Sequence, residues 1–183
     1  MGIYLNPDSS KFEEAVNSDI YVDKTGLLNY TNSVLHTMQK YICISRPVVL
    51  ENLPQPICLP HIIAGAVMRN SYFQNLKLRR TVNSKKYLNQ YNTISVNMQE
   101  ILSRSKNVHE LIDRFGRLMI RDLKNEYPDV DYFDDTDVIE CMQDVYAQKK
   151  QVFIIIIDEW DCIFREYKQD KEAQEKYISI LLT

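Results

Sequence analysis

The chain has 183 residues, of which 45% are hydrophobic and 26% are charged. That is enough for one domain with a substantial core. A formal net charge of −3 gives no electrostatic case for binding nucleic acid or anionic lipid. No segment reaches the ~18 consecutive apolar residues of a membrane-spanning helix, and the N-terminus lacks the basic and apolar regions of a signal peptide. We therefore expect a cytoplasmic protein with no membrane partner.

The four cysteines, at positions 43, 58, 141 and 162, are far apart and lack metal-ligand spacing. The three histidines are scattered and none lies beside a cysteine or an acid cluster. Thiols in this pattern indicate reduced cysteines, buried or at the surface, in a cytosolic protein.

The N-terminal part of the chain is predicted to be mostly helical. The predicted elements are a short helix over 11–17 capped by Ser9 or Ser10, a segment over 21–28 that leads into an amphipathic stretch ending near Met38, and a strand over 40–45. Arg46-Pro47 ends that strand, because proline cannot continue a central ladder.

The C-terminal part alternates between strands and helices. Strands are predicted over 92–98 and 152–157, and helices over 108–127, 137–149 and 171–182. Pro128 closes the first of these helices, and an acidic turn over 129–135 follows it. This alternation predicts a three-layer α/β domain built on a parallel sheet.

The second strand carries the strongest functional signal. The run Val152 to Ile157 is wholly apolar and ends abruptly in Asp158 and Glu159. Such a run predicts a strand buried on both faces of a parallel sheet, and acids at its carboxyl end lie where open α/β sheets bind ligands. The pattern is typical of the Walker B element, in which the first acid holds Mg²⁺ and the second orients the attacking water.

Several segments together resemble the bacterial predicted AAA-ATPase-like family. These segments are Gly2-Ile3-Tyr4-Leu5-Asn6-Pro7, Tyr21-Val22-Asp23-Lys24-Thr25, Ile44-Ser45-Arg46-Pro47, Glu126 to Phe133, and Ile155 to Asp161. The resemblance covers nearly the whole chain except 48–69.

The resemblance implies a P-loop NTPase-like, three-layer parallel sheet with ATP and Mg²⁺ as ligands. It assigns Asp158 to the metal and Glu159 to catalysis, within one partial domain over 1–183. Residues 1–39 would form an N-terminal helical segment, and 40–183 part of the nucleotide-binding core. In the family a later strand lies between the loop-bearing strand and the Walker B strand. The chain stops at Thr183 before such a strand, so we expect a sheet incomplete at the C-terminus and a marginally stable product.

The phosphate-binding loop of the family does not appear. There the Ser-Arg-Pro tripeptide is followed by R-R-F-G-K-S/T, whereas this chain continues Val48-Val49-Leu50-Glu51-Asn52-Leu53. No G-K-[ST] occurs anywhere in the chain. Val48 and Val49 disfavour positive φ, Glu51 repels phosphate, and Pro54 and Pro56 interrupt the helix whose N-terminus would face the phosphates.

The genetic code allows residues 48–69 to be read one base out of register. Shifted codons that start at Pro47 can read R-R-F-G-K-S-T-A-A-D-M-L-A-A-Y-Y-S-R-G-C-D-A. For example, TTG for Leu50 followed by GAA for Glu51 contains GGA, which encodes glycine. One base lost near Pro47 and one gained near Arg69 explain the segment; a natural insertion or divergent loop is the alternative. Codons incompatible with TTG-GAA-AAY at Leu50-Glu51-Asn52 would exclude the frameshift.

These features predict an ATPase-family chain that is inactive because it lacks the loop. The alternatives are a non-enzymatic α/β binding module, or an ATPase in which another segment replaces the loop. Asp161 and Arg165 favour an i,i+4 ion pair, with a role in the nucleotide site as the alternative, and Asp23 favours helix capping. Arg46 is equally compatible with a phosphate contact and with a surface position, and the basic run 77–80 indicates a solvated face.

Overall fold

A computed structural model of the chain describes residues 2–8, 10, 13–14, 17–19, 27–35, 37–39, 41–43 and 91–181. The chain divides into two compact units, one formed by 1–7 with 93–183 and the other by 8–92. Asp23, Arg46, the segment 48–69 and the basic run 77–80 lie outside the described residues. Two other predictions are described in part. Residues 13 and 14 of the helix predicted over 11–17 are helical, whereas residues 41–43 of the strand predicted over 40–45 are exposed and belong to no strand.

In the unit formed by 8–92, the described helix α1 covers Leu27–Val34. It begins at the end of the segment 21–28 and continues into the amphipathic stretch that is predicted to end near Met38. Thr31 and Val34, three positions apart, are both buried, as expected for one face of a helix.

The other described elements follow in chain order. They are β1 (Asn92–Asn97), α2 (Met98–Leu102), α3 (Val108–Glu126), α4 (Val138–Lys149), β2 (Phe153–Asp158), α5 (Cys162–Glu166) and α6 (Lys171–Leu181). The prediction of a mixed α/β chain is confirmed. The predicted helices match α3, α4 and α6, and the predicted strands match β1 and β2, each within about two residues at either end.

Side-chain caps explain why three of these helices begin where they do. The carboxamide oxygens of Asn97 and Asn107 accept hydrogen bonds from the backbone N–H groups of Glu100 and Glu110, at 3.1 and 2.9 Å. Asp137 caps α4 by accepting from the N–H of Ile139 at 2.7 Å. Each cap satisfies a donor that the first helical turn leaves without a partner.

β1 and β2 pair side by side as a two-stranded parallel sheet. The final residues of both strands, Asn97 and Asp158, are in contact, as parallel pairing requires. β1 is largely buried, with Ile94 and Val96 each 2% exposed. Both side chains lie on one face of the strand because strand residues alternate with a period of two.

The prediction that the isoleucine run is buried on both faces is wrong. Ile155 is 51% exposed, Val152 is also exposed, and the other apolar residues of β2 are only partly buried. Among the described residues, β2 has a single strand neighbour, and only Phe153 and Ile157 of the strand pack against the core. Apolar composition alone therefore did not determine the burial of this strand.

The N-terminal segment covers the outer edge of β1. Leu5 forms an antiparallel bridge with Ile94, and the N–H of Ser95 donates to the carbonyl of Tyr4 at 2.9 Å. Oδ2 of Asp122, a residue of α3 that is 2% exposed, accepts from the N–H groups of Tyr4 and Leu5 at 2.7 and 3.3 Å. A buried carboxylate therefore anchors this segment to α3.

Two clusters of buried side chains form the core of this unit. The first contains Val96, Met98, Ile101, Leu102, Val108, Leu111, Cys162, Ile163 and Tyr177. The second contains Leu5, Ile94, Met119, Ile120, Leu123, Val130, Cys141 and Val145. Tyr4, Phe115 and Leu118 pack against both clusters, so α3 and the N-terminal segment connect them.

In the part of the chain that the structure describes, no helix has the length and apolar composition to cross a membrane.

Candidate functional site

Asp158 lies at the carboxyl edge of the sheet. Its Oδ1 accepts a hydrogen bond from the N–H of Glu159 at 3.0 Å, and its Oδ2 lies 3.5 Å from Nδ2 of Asn97, the last residue of β1. The carboxylate is exposed to solvent. Because an ionised carboxylate offers about four acceptor sites, Asp158 keeps lone pairs for a further ligand.

Glu159 departs from the extended backbone of β2 at once. Its φ of 53° lies in the left-handed region, which costs an L-residue roughly 1–2 kcal/mol. This turn brings the carboxylate beside Arg165 of α5, with Oε2 accepting from Nη2 at 2.5 Å. Strain of this kind persists only where the surrounding contacts hold it, and it is common at functional sites.

Arg165 joins three parts of the edge. Besides Glu159, its Nη2 donates to Oε1 of Gln99 in α2 at 3.2 Å, and its Nη1 lies 3.8 Å from Oδ1 of Asp161. The hydrogen bond with Glu159 raises the pKa of the Arg165 guanidinium, so the cation persists at every physiological pH. The i,i+4 pair predicted from Asp161 and Arg165 is confirmed, but the contact with Glu159 is shorter.

Aromatic side chains pack against the loop that follows β2 and hold it in place. The Tyr177 hydroxyl donates to the carbonyl oxygen of Trp160 at 2.8 Å. Phe164 makes edge-to-face contacts with the rings of Trp160 and Tyr177, at centroid distances of 6.0 and 6.4 Å. Burial raises the pKa of the Cys162 thiol to about 11, so this cysteine stays protonated and unreactive at neutral pH. These contacts place Glu159 and Asp161 on a supported loop.

The donor set suits Mg²⁺ only in part. Among the described residues, no group of three or more His, Cys, Asp or Glu side chains is arranged to hold a metal ion. Mg²⁺, however, commonly binds through one or two carboxylates, substrate phosphates and water. Asp158 fits that role, whereas Glu159 is engaged by Arg165.

Sequence reasoning identified Asp158, Glu159, Asp161 and Arg165, and the structure brings all four to one edge. It did not identify Asn97 and Gln99 as members of this edge. The available signal was their position at the end of the other strand, because parallel strands present their carboxyl ends at the same edge.

Comparisons of the chain with protein-family models, curated proteins and solved structures found no match.

Proposed function

We propose that the chain is a member of the AAA-ATPase-like class whose nucleotide site is incomplete, so that it binds and hydrolyses ATP weakly or not at all. The observation that carries the proposal is the placement of Asp158 and Glu159 at the carboxyl end of an apolar strand, where Asp158 lies beside Asn97 of the parallel neighbour. Ligands of open α/β sheets bind at this edge. The three-layer P-loop architecture and the cytoplasmic location belong to the same proposal.

Each acid has a distinct role in this proposal. Asp158 would hold Mg²⁺, which neutralises phosphate charge when it is bound. Glu159 would orient or deprotonate the attacking water, and for this its carboxylate has to leave Arg165. In the resting arrangement the Glu159 carboxylate is held by the Arg165 guanidinium at 2.5 Å and is not free to orient an attacking water, which disfavours hydrolysis.

The missing component is the phosphate cradle. A phosphate loop presents consecutive backbone N–H groups at a helix N-terminus, a lysine for the β- and γ-phosphates, and a hydroxyl for Mg²⁺. The sequence Val48-Val49-Leu50-Glu51-Asn52-Leu53 has neither the glycine, the lysine nor the hydroxyl. Without the cradle, the acids would repel rather than bind a nucleotide.

The decisive experiment restores the peptide that is encoded out of register. Residues 48–69 are replaced by R-R-F-G-K-S-T-A-A-D-M-L-A-A-Y-Y-S-R-G-C-D-A, and Mg-ATP binding is measured by calorimetry for both chains. We expect saturable binding by the restored chain with a Kd below about 1 mM, equivalent to roughly −4 kcal/mol or better, and no saturable binding by the original chain. The matched control carries the same replacement, except that alanine takes the place of the lysine at position 52. This control should bind no nucleotide.

Two results would count against the proposal. Saturable Mg-ATP binding by the original chain, lost in Asp158→Ala, would show that another segment supplies the phosphate site. A restored chain that is folded by circular dichroism and still fails to bind Mg-ATP would show that this edge of the sheet is not a nucleotide site.

A further inference from the structure

Residues 129–135 lie in the connection between α3 and α4 and are held by several side chains; we call this segment the acidic loop. The side chain of Gln148 in α4 bonds both backbone groups of Asp131, accepting from its N–H at 3.0 Å and donating to its carbonyl at 2.7 Å. The N–H of Phe133 donates to Oδ2 of Asp144 at 2.9 Å. Two side chains of α4 therefore fix the middle of the loop.

The flanks of the acidic loop are held as well. The Tyr132 hydroxyl lies 3.2 and 3.1 Å from the carbonyl oxygens of Leu123 and Tyr127, at the end of α3. Burial raises the pKa of Tyr132 to about 12, so the phenol remains a neutral donor. The thiol of Cys141 lies 3.4 Å from the carbonyl oxygen of Asp134. The loop is therefore held from both neighbouring helices.

Phe133 lies at the centre of this anchored loop and is 90% exposed. The neighbouring Tyr132 turns inward and packs against the core, whereas the Phe133 ring extends into solvent. Holding a large apolar side chain in water gives the fold no stability. A rigidly presented, exposed aromatic side chain is instead typical of an anchor residue in an interface, because little conformational entropy is lost when it binds.

The charge around Phe133 indicates what kind of partner fits. The loop and the start of α4 carry Asp129, Asp131, Asp134, Asp135 and Asp137, with no basic residue among them. Lys149 and Lys124 neutralise Asp129 and Asp135 by ion pairs. The hydrogen bond from Thr136 lowers the pKa of Asp134, which is therefore ionised at neutral pH. Aspartates thus flank Phe133 along the chain on both sides, which disfavours an anionic membrane or nucleic acid as the partner.

We propose that the acidic loop is a docking site for a cationic polypeptide segment that carries aromatic or branched apolar side chains. An arginine or lysine of the partner would stack on the Phe133 ring and reach the flanking carboxylates, while its apolar residues cover the ring edge. This site is separate from the acids that follow β2, and it does not depend on nucleotide binding.

The test uses the full chain as bait for a random peptide display library, with counter-selection on Phe133→Ser. We expect peptides that combine arginine or lysine with apolar residues. A synthetic copy should bind the original chain at least about tenfold more tightly than Phe133→Ser. Binding should weaken as salt rises and in Asp131→Asn, and Phe133→Trp should restore it.

Tyr146→Ser is the matched control, because Tyr146 is a second exposed aromatic residue of the same unit. This variant should bind the peptide as the original chain does. Thermal unfolding of Phe133→Ser should match that of the original chain, since its side chain is exposed.

Four outcomes would overturn the proposal. They are a lower unfolding midpoint in Phe133→Ser, the absence of any Phe133-dependent peptide, enrichment of acidic or salt-insensitive peptides, and self-association of the chain that Phe133→Ser abolishes. The last would make a second copy of the chain the occupant of the site.

Discussion

The burial of the two paired strands is the opposite of what their composition predicts. β2 reads Phe-Ile-Ile-Ile-Ile-Asp, whereas β1 reads Asn-Thr-Ile-Ser-Val-Asn, yet β1 is the more deeply buried. β1 is covered by the N-terminal segment on one edge and by β2 on the other. Burial in this unit is therefore determined by the number of neighbours around a strand, and the apolar run of β2 exceeds what its described neighbours cover.

The contrast in burial between the strands is tested most directly by the same substitution, isoleucine to alanine, in each strand. Ile94→Ala should lower the free energy of unfolding by about 2–5 kcal/mol, because it leaves a cavity in the second core cluster. Ile155→Ala should lower it by less than about 1 kcal/mol, because that side chain is already half in water. Urea unfolding of the full chain measures both values, provided that the m-value is unchanged.

Equal losses for the two variants would mean that β2 is as well covered as β1 in solution. Such a result would overturn the contrast between the strands.

A smaller effect should follow from releasing the segment that covers β1. Asp122→Ala removes the acceptor of the Tyr4 and Leu5 N–H groups and should lower the free energy of unfolding by about 2–3 kcal/mol. Hydrogen exchange should quicken at Ser95, whose N–H bonds the same segment. Asp113→Ala, at an exposed position of the same helix, should change the stability by less than about 0.5 kcal/mol. Unchanged hydrogen exchange at Ser95 would show that the Asp122 carboxylate does not hold the N-terminal segment against β1.

The smallest effect concerns the turn that leads into β2. Lys150 ends α4 with a φ of 58°, a conformation that glycine adopts without strain. Lys150→Gly should therefore raise the free energy of unfolding by about 0.5–1 kcal/mol. Lys150→Ala removes the same side chain without relieving the backbone and should give no such gain. A gain in the alanine variant alone would assign the effect to the side chain instead.

The elements most readily predicted were those with strong local signals. The alternation of strands and helices along the C-terminal part of the chain predicted five elements to within about two residues. The short helices α2 and α5 were missed, because five residues carry too little periodicity to distinguish a helix from a turn. The cap formed by Asn97 was a usable signal for α2.

The candidate site was predictable in its residues but not in its contacts. Apolar residues followed by two acids are visible in the sequence, and so is the i,i+4 spacing of Asp161 and Arg165. That Glu159 would reach the same guanidinium depends on a left-handed backbone turn, which no propensity of glutamate suggests. The prediction that β2 is buried on both faces failed for a similar reason, because burial depends on tertiary neighbours that a single strand does not encode.

Trp160 makes the loop that follows β2 observable by spectroscopy. It is the only tryptophan of the chain, it lies between Glu159 and Asp161, and its carbonyl accepts the Tyr177 hydroxyl bond. Its partly exposed indole contacts Phe164 edge to face. The tryptophan fluorescence of the unmodified chain therefore comes from one known position, and its quenching and emission maximum report directly on the loop that holds Glu159.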